Sequence, residues 1–458
     1  MKTDELTSWL ADNGVRMVRT EGISIDGLSV GKHLSPGKFL RSLPLGPAVS
    51  DAVLAADVAG GVNIGLLGKW SGGFLGDIHQ SPDLSTLVML AGRPGVASCI
   101  VDHVDVAGEP LPVCPRVTLQ RVQQELAQRG FEARLGFEIE AMIFQESFAE
   151  ARAKGYRELQ SLGVPVPVAY LNQSAHLQAP FMEEVTRRLD ALAVEWEAWS
   201  DELALGQVEL NLAPADPLRA ADSAHRARQV FREVAYDLDH SVTFMGKPTA
   251  AIGNGLHIHH SLLRDGTPVF HDAEAPEGRS EIMRHWMAGL LATMDGAVSL
   301  LVPTVNAYRR MVDFAGAPTT ATWGEENKSA ALRVVSRSPG VARIEHRLGS
   351  GELNPYVAAA GILAGGMVGL DEALEPPEAT TRMAWAMGEG TPVLPAKLSA
   401  AADALEADER MIGLLGAEFV EHWIKTRRWE WQAFCNGVEN VDAAEITLWE
   451  LNRYFELS

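Results

Sequence analysis

The most informative pattern along the chain is a strict alternation of apolar and polar residues from Arg134 to Phe144. Leu135, Phe137, Ile139, Ala141 and Ile143 interleave there with Gly136, Glu138, Glu140 and Met142. A period of two belongs to a β-strand with one face in a core, so both carboxylates point the same way. Three further segments carry polar, chemically able residues at i and i+2 among apolar neighbours: Glu209/Asn211, His257/His259 and Glu345/Arg347. Elsewhere the pattern predicts a helix from Asp4 to Asp12, a strand from Val15 to Arg19, an Asp26-Gly27 turn, and short strands ending in Ala97 to Val106. The turn-rich stretch Ala107 to Pro115 marks a boundary near residue 107, after which helices and strands alternate. An amphipathic helix is predicted from about Asp222 to Leu238, with Val230, Val234 and Leu238 on one stripe and Arg226, Arg228 and Arg232 elsewhere. The uncharged run Leu353 to Leu370 opens on Asn354-Pro355, a helix cap followed by a first-turn proline, and is too short and too weakly hydrophobic to span a membrane. The last third reads as helical, including Leu405 to Leu415 and the Trp-rich Arg427 to Trp431.

Composition adds limits. A chain of 458 residues that is 47% hydrophobic supports a large buried core and two or three domains. Its formal net charge of −21 comes without any Lys/Arg run, which disfavours nucleic acid and anionic membrane as partners. Cys99, Cys114 and Cys435 form neither a metal spacing nor an even disulfide set, and the first residues carry no apolar signal segment, so a reducing cytoplasm is the expected compartment. Gly27-Leu-Ser-Val-Gly31 matches a nucleophile-elbow string but follows a turn rather than a core strand. Gly365-Gly-Met-Val-Gly369 lies in the Ala-rich helix, where close helix packing explains it better than a phosphate loop.

Like charges on alternate residues of a strand sit roughly 7 Å apart and repel by about 2 kcal/mol at an effective dielectric of about 20. A face that gathers Glu138, Glu140, Glu209 and Glu345 therefore needs cations, bound protons or wide separation. Four Glu, two His and nearby Arg form a mixed oxygen and imidazole donor set suited to Mg²⁺ or Mn²⁺, and the absence of cysteine argues against structural zinc.

In this order, the motifs Gly136-Phe-Glu-Ile-Glu140, Gly206-Gln-Val-Glu209, Phe244-Met-Gly-Lys-Pro248, Gly253-Asn-Gly-Leu-His-Ile-His-His-Ser261, Asn306-Ala-Tyr-Arg-Arg310, Asn327-Lys-Ser-Ala-Ala-Leu-Arg333, Arg343-Ile-Glu-His-Arg347 and Asn354-Pro-Tyr356 resemble those of the glutamine synthetase family over nearly the whole chain. The resemblance implies an α+β fold: a small N-terminal β-grasp domain (1–107), then a catalytic domain (108–458) whose antiparallel strands form an open barrel flanked by helices. It also implies a homo-oligomer, a dodecamer of two hexameric rings with active sites between neighbouring subunits. Matched residue by residue, one metal ion falls to Glu140, Glu209 and Asp201 and another to Glu138, His257 and Glu345, within a set of two to three Mg²⁺ or Mn²⁺ ions. ATP, the co-substrate, falls to His259, Ser261, Lys328, Arg333 and Arg343, and L-glutamate to Gly253, Arg310 and Arg347. Arg310, Arg333 and Asp201 take catalytic roles.

The sequence departs from that family on the ammonia side of the site. Glutamine-forming members carry a flap glutamate just before Ala-Pro, and here Asp313-Phe-Ala-Gly-Ala-Pro318 places Gly316 at that position. The second carboxylate of the ammonium pocket falls at Asp201, one methylene shorter than usual, although adjacent Glu202 serves if the register shifts. A pocket emptied at Gly316 and bordered by Trp199 and Tyr170 suits a small organic amine better than ammonium. The expected activity is an ATP-dependent glutamate–amine ligase making a γ-glutamylamide through γ-glutamyl phosphate, with glutamine synthetase as the alternative.

Overall fold

The computed structural model describes residues 2–388 and 390–457. Two sheets, disjoint in sequence, organise it. The first has seven strands between Met17 and Val104, and its two longest, Met17–Ile23 and Val96–Val104, pair in parallel from Met17 opposite Val96 to Glu21 opposite Ile100. The helices Thr3–Asp12 and Pro36–Ser42 close one face, burying Leu6, Leu10 and Phe39 against Val18, Leu34, Ala97 and Cys99. The Asp26-Gly27 turn forms as expected, with Gly27 at φ +81 and its N–H donating to the Ser24 carbonyl at 3.0 Å. The strand predicted from Val15 to Arg19 instead runs Met17–Ile23. Its second half is wholly buried and so shows no alternation, and the Glu21 charge that disguises it is met by Arg19 and Arg226.

The second sheet has nine strands and gives the molecule its α+β class, a curled half-barrel of mostly antiparallel strands with helices packed on it. Glu132–Phe144 lies at its centre. Leu256–Arg264, Arg343–His346, Leu332–Val335 and Trp323–Glu325 follow on one side, and Gln207–Leu212 then Trp196–Asp201 on the other. Register decides the chemistry. Phe137, Ile139, Ala141, Val208, Leu210, Ile258 and Ile344 share the buried face. Glu138 lies opposite His257, Glu140 opposite Glu209, and Glu345 opposite both His259 and Arg333, all on the other face.

The helix predicted from Asp222 to Leu238 spans Pro217–Asp237 and is buried nearly all round, because it is wedged between the two sheets. Arg226 therefore goes inward, donating to Glu21 at 3.1 Å and to the Thr86 carbonyl at 2.8 Å, while Arg228 donates to the carbonyls of Gly351 and Leu353. The Ala-rich run forms the helix Pro355–Glu372, capped by the Asn354 side chain, which accepts from the N–H groups of Tyr356 and Val357. Its glycines make room for the helix Glu281–Ala292: a Cβ on Gly366 would stand 2.2 Å from the Trp286 ring, and one on Gly369 would stand 1.9 Å from the His285 carbonyl. The stretch Leu405 to Leu415 breaks at Asp408, whose carboxylate accepts from Met411 N–H and starts a second helix, Glu409–Leu415. Among the described residues no helix is long and apolar enough to cross a membrane.

Candidate active site

The acid-bearing face of the second sheet closes into one cluster. The Nδ1 atom of His257 lies 3.4 Å from Glu138 Oε2 and 3.7 Å from Glu345 Oε1, and its Nε2 lies 4.0 Å from Glu140 Oε1. Donor atoms of Glu138, Glu209 and His257 fall within 4.8 Å of one another, as do those of Glu138, His259 and Glu345. Glu138 thus belongs to both groupings, a different partition from the one the family resemblance implies. His259 Nε2 lies 2.8 Å from Glu138 Oε1, and its Nδ1 lies 3.1 Å from Arg343 Nε. Arg333 Nη1 donates to Glu345 Oε2 at 2.9 Å, and Arg347 donates to the other oxygen of the same carboxylate. Ser261 continues the His257/His259 face along its strand.

Electrostatics divides these acids into two kinds. Burial opposes the charge on Glu138, yet hydrogen bonds and charge from His257 and His259 hold it far below the usual carboxylate range. Glu345, also buried, is held low by Arg347 and then by the two histidines. On Glu209 burial, followed by repulsion from Glu138, Glu140 and Glu202, dominates and pushes it up to about 8. Glu202 is pushed up to about 7 by burial and then by Glu140. This uncompensated half, rich in oxygen donors beside an imidazole, fits a hard divalent cation.

Two expected residues are not brought here. Asp201 lies opposite Val208 and Trp199 opposite Leu210, both core positions, so strand alternation turns them away from the acids. The Asp201 carboxylate instead accepts from Gln178 Nε2 at 3.0 Å, buried behind the sheet, while Trp199 packs against the main core. Glu202, the next residue, takes the inward position expected of Asp201, within electrostatic reach of Glu140, Glu209 and Lys328. Tyr170, Gly253 and Arg310 lie beside the cluster. Tyr170 is 65% exposed at the mouth of the cluster, its phenol pushed up by Glu202 first, then by burial, Glu209 and Glu138. Gly253 is a position only glycine fills, since a Cβ there would stand 1.8 Å from the Gly246 carbonyl oxygen. Arg310 is buried beside it, donating to the Leu348 carbonyl at 3.3 Å. Gly316 has φ +91, and a Cβ on it would meet only Ile252 Cγ2, at 3.8 Å.

Sequence reasoning missed the amides that fix the acids. Gln207 Nε2 donates to Glu140 Oε2 at 3.0 Å, to the Gly253 carbonyl and to Asn254 Oδ1 at 3.1 Å each; Gly255 N–H donates to the same Glu140 oxygen at 2.6 Å. The available signal was Gln207 itself, a buried amide two residues before Glu209 on the same face.

A curled antiparallel sheet presenting carboxylates, imidazoles and guanidiniums on one face defines a glutamine synthetase-type ligase, and residues 112–447 match the glutamine synthetase catalytic domain. The chain belongs to the glutamine synthetase family. Among its relatives, the glutamate–isopropylamine ligase of a Pseudomonas species is 28% identical, over 99% of this chain and 98% of that one. The gamma-glutamylethanolamide synthetase GlnA4 of Streptomyces coelicolor is 31% identical, over 85% of this chain and 81% of its own. Proteins named glutamine synthetase match at 27–31%. A solved GmaS/ADP complex superposes with a TM-score of 0.82 at 26% identity, covering 98% of both chains.

Proposed function

We propose that the protein is an ATP-dependent ligase joining the γ-carboxylate of L-glutamate to an organic primary amine. Gly316 carries this reading: the flap position that holds a glutamate in ammonium-using members is a glycine here, where a Cβ would meet only Ile252 Cγ2 at 3.8 Å, while the residues matched to phosphate and glutamate are kept in the sequence. The names of the isopropylamine and ethanolamide relatives support it.

Glu138, Glu140, Glu202, Glu209, His257 and Glu345 would hold two to three Mg²⁺ or Mn²⁺ ions, which supply charge neutralisation for the moving phosphoryl group. The chain's own groups do the rest. Arg310 and Arg347 bind glutamate and aim its γ-carboxylate at the γ-phosphorus of ATP, where an O–P bond forms and ADP leaves. Arg333, Arg343, Lys328, His259 and Ser261 line the phosphate side, and the two arginines spread the transferred charge. The amine nitrogen then attacks the acyl carbon, the bond to the phosphate oxygen breaks, phosphate departs with the electron pair, and the nitrogen loses a proton. With Asp201 turned into the core, Glu202 replaces it as the carboxylate in reach of that proton. The working assembly is a homododecamer of two hexameric rings.

The test is phosphate release with glutamate, ATP and Mg²⁺ across ammonium, alkylamines, diamines, polyamines and arylamines. An organic amine is expected to be the best nucleophile, and ammonium in first place overturns the reading. Gly316→Glu is expected to raise ammonium use relative to amine at least severalfold; unchanged selectivity would remove Gly316 from the pocket.

A further inference from the structure

A cavity of about 950 Å³ is mostly apolar and has no part in the chemistry above. Three of the segments around it also border the acid cluster. Ala204 and Leu205 follow Glu202, Ala251 leads into Gly253, and Ala315 adjoins Gly316. Its inner wall includes Phe144, which lies two strand repeats beyond Glu140 on the same sheet face, roughly 13 Å along the strand. Between them stands Gln207, opposite Met142 and bonded to Glu140. The cavity therefore continues the working face of the sheet past its last carboxylate.

Two of the three cations on the wall, Arg309 and Lys247, are already engaged, and Arg157 stands beside the carboxylate-bearing Glu158, which together disfavour an acidic occupant. Arg309 donates to both oxygens of Glu450, at 2.6 and 2.9 Å, and to the Ala443 carbonyl at 2.7 Å. The Lys247 ammonium donates to the Ala251 carbonyl. Most of the remaining wall is hydrocarbon, from Phe144, Leu159, Leu205, Val312, Ile446 and Phe455, and the volume lies in the range of small-molecule pockets. We infer that this cavity takes the hydrocarbon of the acceptor amine, so that the substrate is a primary amine bearing a bulky alkyl or arylalkyl substituent. The inference rests on the amine-ligase reading and adds the substrate class. A methyl-sized substituent would leave the space unfilled, and the open position at Gly316 is the gap beside which a chain passes from the acyl carbon into it.

The experiment is kcat/KM for the n-alkylamines from methylamine to octylamine, with ammonium alongside, in the unmodified protein and in Leu205→Trp and Val312→Trp, two cavity-lining changes at partly exposed positions. In the unmodified protein kcat/KM should rise about fourfold per added methylene. Each tryptophan should cut octylamine at least tenfold and leave methylamine within twofold. A flat or falling series, or variants that depress short and long amines equally, overturns the cavity assignment while the amine-ligase reading stands. Ammonium as the best nucleophile overturns both.

Discussion

A single carboxylate, Glu345, ties the site together. Its oxygens accept from Arg333 and Arg347, and one faces His257 across 3.7 Å, so it sets the positions of two guanidiniums and a metal-ligand candidate. Glu345→Gln keeps the volume and removes the charge; phosphate release is expected to fall at least about a hundredfold with little change in melting temperature. Glu209 and Glu202 make a second residue-scale prediction. With values raised to about 8 and about 7, they hold protons near neutrality that a divalent cation must displace. Binding Mg²⁺ at pH 7 should release about one proton, and apparent affinity should rise from pH 6 to pH 8. Calorimetry in two buffers of different ionisation enthalpy reads the proton directly, and no buffer dependence would place the metal elsewhere. At this scale the sequence was legible wherever chemistry repeats at i and i+2, as at Glu138/Glu140. It failed at Asp201 because both Asp201 and Glu202 are acidic, and only the pairing of Val208 with Asp201 shows which one faces the core.

Among elements, the helix pair Pro355–Glu372 and Glu281–Ala292 shows how far local pattern reaches. Asn354, Pro355 and the glycines announced the start and the close packing, but nothing in the Ala-rich run named its partner. Gly366→Ala sets a methyl against the Trp286 ring and should cost about 1–3 kcal/mol, seen as a lower melting temperature with kcat retained at assay temperature. The helix Pro217–Asp237 went the other way: Arg226 and Arg228 lie off its apolar stripe and are nonetheless buried, their partners, Glu21 and the carbonyls of Thr86, Gly351 and Leu353, lying far off in sequence. Pairings at that separation leave no local trace.

For the whole molecule, buried histidines set the acid limit. Burial depresses His103 and His422 to about 4, and His225, His260 and His346 to about 3. An unfolded chain binds these protons from about pH 6.5 downward while the native protein refuses them until near pH 4, so stability falls as pH falls through that window. The loss is about 2 kcal/mol apiece at pH 5 on this linkage. Melting curves between pH 7 and 4 should drop steeply, and a flat profile would mean that the imidazoles are hydrated.

The two sheets are bolted together by ions as well as by apolar contact. Buried Arg116 holds Asp83 and Asp102 from the first with Asp222 behind the second; Arg427 reaches Asp26, and Asn354 donates to the carbonyls of Ser24 and Ile25. Cutting the chain after Val106 to obtain a minimal enzyme would strip Arg226 of Glu21 and leave half of these ionic clasps open in an apolar seam. The leading hundred residues are a keystone rather than an ornament, and a shortened version should come out of expression as aggregate.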